Sequence, residues 1–104
     1  MTRALFRLKD GRLCGFTLEG HTGAGKAGGD IVCAAVSSAA YLAANTITEV
    51  CDPAADAEER DGYLRVTVRD AARCQDILRG FRLHMEQLQE QYPERIRVEI
   101  LETV

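Results

Sequence analysis

The residues best able to do chemistry crowd into one stretch, EGHTGAGKAGGDIVCAAVSSAAYLAANTI, positions 19 to 47. Three chemistries compete for it. Gly20-x-x-x-x-Gly25-Lys26 has the outline of a P-loop, in which backbone N–H groups cradle phosphates. Gly23-x-Gly25-x-x-Gly28 has the outline of a dinucleotide fingerprint. His21 and Cys33, on either side of the glycines, have the types needed for a base and a thiol nucleophile.

The two nucleotide patterns fail on their surroundings. A P-loop lysine is followed by Ser or Thr, whose hydroxyl holds Mg²⁺. Here Ala27 follows Lys26, and then Gly28 and Gly29 oppose the helix that should begin there. The helix starts more naturally after Asp30, whose carboxylate is a good N-cap and repels phosphate. In the dinucleotide fingerprint the ribose-binding acid ends a second strand about twenty residues on. The nearest match, Glu49, falls at the end of a helix instead.

The His–Cys reading fits the surroundings better. With Asp30 as N-cap, Cys33 stands in the first turn of the helix. There the dipole and free N–H groups favour a thiolate and can donate to an oxyanion. His21 ends the preceding strand, and a glycine-rich flap between the two lets it approach Cys33 and take its proton. Ser37 lies one turn beyond Cys33 on the same helix face. Plainer roles also exist. Cys33 can be a small buried residue of an Ala-rich helix, Ser37 and Ser38 packing residues, Asp30 a cap, and Lys26 and His84 solvated groups. Cys14, Cys51 and Cys74 read as small apolar side chains.

The elements that must position these residues follow from pattern. Asp10-Gly11 marks a hairpin between TRALFRLK and RLCGFTLE, pairing Lys9 with Arg12 and Leu8 with Leu13. A regular register then sets Phe6, Leu8 and Leu13 on one face and Leu5, Phe16 and Leu18 on the other. The second face needs cover, most simply from another copy of the chain. DIVCAAVSSAAYLAANTITEV reads as a helix with Ile31, Ala35, Leu42 and Ile47 at helical spacing. CDPAADAEERDG reads as an acidic loop, and YLRVTVR as a strand with Leu64, Val66 and Val68 inward. Asp70 caps a second helix, whose stripe is Cys74, Ile77, Phe81, Met85, Leu88 and Tyr92, and Pro93 ends it. RIRVEILETV is a last strand with Ile96, Val98 and Ile100 on one face. The order ββαβαβ predicts an α+β fold, two helices on a mainly antiparallel four-stranded sheet.

Composition agrees with a small globular protein. A chain of 104 residues, 46% apolar and 28% charged, suits one domain over 1–104 with a modest core. A net charge of −3 with pI near 5.3 argues against direct nucleic-acid binding, which needs a basic face. No secretory leader precedes the first charges, and no window reads as a membrane span, so a cytoplasmic location with reduced thiols and no membrane partner is expected. The four cysteines form no C-x-x-C or Cys/His cluster, so no metal is expected.

GHTGAGKAGGDIVCAAVS resembles the signature of the Prp family, the ribosomal-processing cysteine proteases. Gly20, His21, Gly23, Asp30, Ile31, Val32, Cys33, Ala34 and Ser37 occupy its pattern, and chain length and element order agree with it. The loop TGAGKAG departs by being smaller than many family loops and lacking an aromatic. The resemblance implies a homodimeric cysteine endopeptidase without cofactors. Its substrate would be the precursor of a large-subunit ribosomal protein, number twenty-seven, whose N-terminal extension is removed after aromatic residues. It further implies His21 as general base and Cys33 as nucleophile, with Asp30, Ser37, Gly23 and Gly29 supporting the site or the substrate. Two readings stand beside it. One is a non-catalytic ribosome-associated peptide-binding module, which needs no thiolate. The other is a thiol redox sensor, which needs a resolving cysteine.

Overall fold

The computed structural model describes residues 1–20 and 31–103. Its elements are β1 (Thr2–Lys9), β2 (Arg12–Glu19), α1 (Ile31–Asn45), a π-helical turn (Thr46–Cys51), β3 (Asp56–Arg60), β4 (Tyr63–Thr67), α2 (Ala71–Gln91) and β5 (Ile96–Thr103). The strands form one sheet in the order β3-β4-β2-β1-β5. All pairs are antiparallel except β1–β5. The α+β class with two helices on a mainly antiparallel sheet is as expected, but the sheet has five strands rather than four, in the order ββαββαβ. The extra strand, β3, comes from the acidic segment read as a loop. All five of its residues are exposed, so it shows no apolar alternation.

The β1–β2 turn places Asp10 (φ 52°) and Gly11 (φ 78°) in the left-handed region, as a two-residue hairpin turn demands. Lys9 pairs with Arg12 and Leu8 with Leu13, as predicted. A bulge follows. Cys14 has no opposite number, and Arg7 pairs with Gly15 and Phe6 with Phe16. One extra residue turns every later side chain of β2 to the other face. Phe16 and Leu18 therefore join Phe6 and Ala4 in the core, against the expectation that they share a face with Leu5. Gln75 of α2 repairs the ladder there. Its amide donates to Leu13 O (2.7 Å) and accepts from Leu13 N (3.0 Å).

The same bulge makes the second sheet face polar. Arg7 lies flat on it, 8% exposed. It donates to Thr17 Oγ1 (2.6 Å), Val66 O (2.7 Å) and Thr67 Oγ1 (3.1 Å). Gly15 makes room for this, because a Cβ there would collide with the Val66 carbonyl and the Arg7 guanidinium. Arg3 bridges β1 to β5 through Glu99 at 3.0 Å. The apolar face of Leu5, Phe16 and Leu18 that needed a partner's cover does not form. The exposed large apolar residues lie mostly on the helical segments instead, among them Ile31, Leu42, Val50 and Leu83.

Both helices cover the other face. Phe6, Phe16 and Phe81 meet there with ring centroids 4.7 to 6.1 Å apart, the closest pair edge-on. On α2, Asp70 caps the helix by accepting from Arg73 N at 3.3 Å. Cys74, Leu78, Phe81, Met85 and Leu88 are buried, while Ile77 and Tyr92 pack at the margin. On β4, Leu64, Val66 and Val68 are buried as expected; on β5 burial fades from Ile96 to an exposed Ile100. α1 presents small residues to the core: Val32, Val36, Ala40, Ala43 and Ala44. Of its predicted stripe, Ile47 is buried, but Ile31 is 77% and Leu42 66% exposed. An Ala-rich helix has too little contrast between its faces for spacing to choose the buried one.

The helical segment Ile31–Cys51 is also, by length and composition, apolar enough to cross a membrane, contrary to the reading that no window approaches a span. In this fold its small-residue face packs on the sheet. Asp52 fixes its far end. This buried carboxylate accepts from the backbone N–H groups of Arg69 (2.7 Å), Asp70 (2.8 Å) and Ala54 (3.3 Å). Those bonds, that of Asp70 foremost, hold its pKa below the ordinary value.

Candidate active site

β2 ends at Gly20, which has φ 85° and donates its N–H to Gly62 O at 2.8 Å. A side chain there would press on the Met1 carbonyl besides straining the backbone. This bond ties the tip of the β3–β4 hairpin to the end of β2. The chain re-enters the described region at Ile31, and Cys33 is the third residue of α1, in its first turn. Cys33 is partly buried, and Ser37 is exposed one turn on.

Cys33 and Ser37 open onto the same groove of about 350 Å³. One wall is α1, through Cys33, Val36, Ser37, Ala40 and Tyr41. The opposite wall is the β3–β4 hairpin, through Glu59, Arg60, Asp61, Gly62 and Tyr63. Between them Leu18 and Leu64, both nearly buried, give an apolar floor with Val36 and Ala40. The walls touch where the Tyr41 hydroxyl donates to Glu59 Oε1 at 2.9 Å. That bond raises the Tyr41 pKa, because the neighbouring carboxylate resists loss of the phenolic proton. Arg60 stacks on the Tyr63 ring at 3.7 Å and stiffens the hairpin tip. A thiol at the head of such a groove can attack a carbonyl carbon held along it, with first-turn N–H groups beside it.

Among the residues named from sequence, the structure brings Cys33 and Ser37 to one groove, while His21, Gly23, Gly29 and Asp30 lie outside the described residues. Tyr41, Glu59, Arg60, Asp61 and Tyr63 were not anticipated. The Asp-Gly pair at 61–62, a hairpin turn signal, was the one available hint. The other cysteines differ in setting. Cys14 donates to Arg7 O at 3.5 Å in the bulge, and Cys51 is half-buried. Cys74 is fully buried, and burial pushes its thiol up to about 11, with Asp52 adding to the effect. Among the described residues no group of three or more His, Cys, Asp or Glu could hold a metal ion.

No curated protein matches the sequence. A family model described as Cysteine protease Prp matches residues 1–97. Among solved structures, the essential ribosomal processing protease Prp from S. aureus, with a covalently linked product peptide, superposes with a TM-score of 0.90. It is 25% identical, and the match covers 97% of this chain and 100% of that one. A Streptococcus mutans protein is 30% identical, with a TM-score of 0.79 over 99% of this chain and 96% of its own. The same S. aureus protease with a substrate peptide matches in fold, with a TM-score of 0.83 at 24% identity, covering 97% of this chain and 100% of that one. With a family model spanning nearly the whole sequence and a thiol at the head of a peptide-sized groove, the chain belongs to the Prp family of cysteine proteases.

Proposed function

We propose that this cysteine protease is an endopeptidase of ribosomal-protein maturation. It removes the short N-terminal extension of a large-subunit ribosomal protein, number twenty-seven, by cutting after aromatic residues. The observation that carries the reading is Cys33 in the first turn of α1, opening onto a groove with an apolar floor. In this reading His21 takes the Cys33 proton and Sγ attacks the scissile carbonyl carbon. The C–N bond breaks as His21 returns that proton to the leaving amine. A thioester remains, and water, deprotonated by His21, hydrolyses it to a carboxylate and the free thiol. Asp30 and Ser37 support the pair, and Gly23 and Gly29 let the intervening segment fit a peptide backbone. No metal or organic cofactor enters any step. The enzyme works in the cytoplasm as a homodimer, with the ribosomal precursor as partner rather than nucleic acid or membrane. The helical side, where Leu42 and Leu83 are exposed, suits a partner chain better than the polar sheet face does.

The test is cleavage of a peptide carrying two aromatic residues before a small one, read by mass spectrometry beside circular dichroism. Cys33→Ala and His21→Ala should each stay folded and lose cleavage. Cys33→Ala should still bind the peptide. A folded Cys33→Ala protein that cuts the peptide sinks the reading. A wild-type protein that binds and never cuts points to a peptide-binding module.

A further inference from the structure

The groove has a definite length. Its α1 wall runs from Cys33 to Tyr41. Eight residues of helix at about 1.5 Å each make roughly 12 Å. An extended peptide covers that distance with about four residues at roughly 3.3 Å each. At the end away from Cys33 the character of the groove changes. Its floor is small and apolar at Val36 and Ala40, and then the Tyr41 hydroxyl crosses to the Glu59 carboxylate. Tyr41 is 46% exposed, so its ring adds little to the core. A bond between two exposed side chains contributes little to stability. Its placement is what matters, since it joins the α1 wall to the hairpin wall across the groove. The hairpin side cannot easily swing away, because Gly20 holds Gly62 and β4 is paired along its length with β2.

We infer that Tyr41 and Glu59 are the end stop of the substrate groove, a specificity-determining pair that limits an extended peptide to about four residues on one side of the bond attacked at Cys33. The inference rests on Cys33 being the nucleophile. A fifth residue must turn out of the groove or displace the phenol from the carboxylate. Binding energy therefore grows with peptide length up to the stop and not beyond it.

The experiment is a peptide series lengthened from one to eight residues on each side of the scissile bond in turn. It is measured as kcat/KM with the wild type, Tyr41→Ala, Tyr41→Phe and Glu59→Gln. The same series is measured as Kd with each change placed on Cys33→Ala, with circular dichroism of every protein. For one side, the wild-type values should rise to about the fourth residue and then level off. In Tyr41→Ala the rise should continue, increasing the ratio of eight-residue to four-residue kcat/KM by about five-fold, the worth of one net hydrogen bond. Tyr41→Phe, which keeps the ring and loses the bond, and Glu59→Gln, which keeps an acceptor and loses only its charge, should move that ratio the same way by less. Identical length profiles in the wild type and Tyr41→Ala, on both sides, overturn the stop. So does a wild-type profile that climbs evenly to eight residues. The binding series separates the two ideas: cleavage that survives Cys33→Ala ends the nucleophile assignment, while the length at which Kd levels still decides the stop.

Discussion

The two helices share one sheet face but are built from opposite materials. α1 has no charged residue over its 15 positions and presents Val and Ala to the core. α2 has 21 residues, a stripe of large apolar side chains inward and charged residues outward. The contrast matches two jobs. α2 supplies bulk: Phe81 joins the only other two phenylalanines, and Gln75 and Gln89 bond backbone groups of β2 and β5. α1 supplies closeness. Its small residues let the helix pack closely against α2, and its first turn and outer edge line a groove beside the sheet rather than fill it. Stability and chemistry are thus divided between neighbours. A change on α2 should cost stability first, and a change on α1 should cost reactivity or groove shape first.

The sharpest test of this division is thiol reactivity. Cys33 on α1 faces the groove, while Cys74 on α2 is buried with its thiol at about 11. At pH 8 such a thiol is ionised to roughly one part in a thousand. Iodoacetamide labelling followed by peptide mapping should therefore mark Cys33 far ahead of Cys74, by about a hundred-fold or more. Equal rates would erase the distinction. Next in size, Phe81→Ala should destabilise the protein by about 3–5 kcal/mol, because it empties the centre of the aromatic cluster. Denaturant unfolding measures this, and a loss under about 1 kcal/mol would mean that α2 is not the main support of the core.

Ala40→Leu probes the converse. The residue is 2% exposed beneath the groove floor. The added methylenes should cost about 1–3 kcal/mol by overpacking and should weaken peptide binding as α1 shifts and the groove floor changes shape. Unchanged affinity would show that the placement of α1 does not shape the groove. The smallest effect concerns the joint between the helices. The Asp52 pKa is depressed in the folded state, so its contribution is complete above the unfolded value of about 3.9 and is lost as pH falls through the lower folded value. The melting temperature of the wild type should exceed that of Asp52→Asn at pH 6, and the gap should close toward pH 2. A gap that persists in acid would assign the effect to shape rather than charge.

Local signals carried far in the sequence. Asp10-Gly11 gave the hairpin turn and its first two pairs, Asp70 the cap, and the spacing of Cys74, Phe81, Met85 and Leu88 the buried side of α2. What escaped reading depended on distant partners. In RLCGFTLE only Gly15 hints at a bulge or a close backbone approach, and the bulge at Cys14 is completed from afar, by Gln75 of α2 and by the Arg7 guanidinium over Gly15. β3 is a strand only because β4 offers it an edge. The buried side of α1 is set by the sheet beneath it. At the site, Cys33 and Ser37 were legible because helix spacing alone puts them on one face. Tyr41 and Glu59 were not, because a hairpin must fold back before they meet.

The parallel pairing of β1 with β5 has a consequence for how the molecule comes to be made. β1 and β2 can close on each other as soon as both exist, but Thr2 finds its second partner only at Ile96. A nascent chain leaving the ribosome therefore carries a formed hairpin with one side of β1 unpaired until the chain as far as Ile96 has emerged. Such an edge is a template for other chains. Closing it is the most non-local step in the fold and is expected to be among the slowest. The sheet is thus completed only when Ile96–Thr103 comes to lie beside Thr2–Lys9.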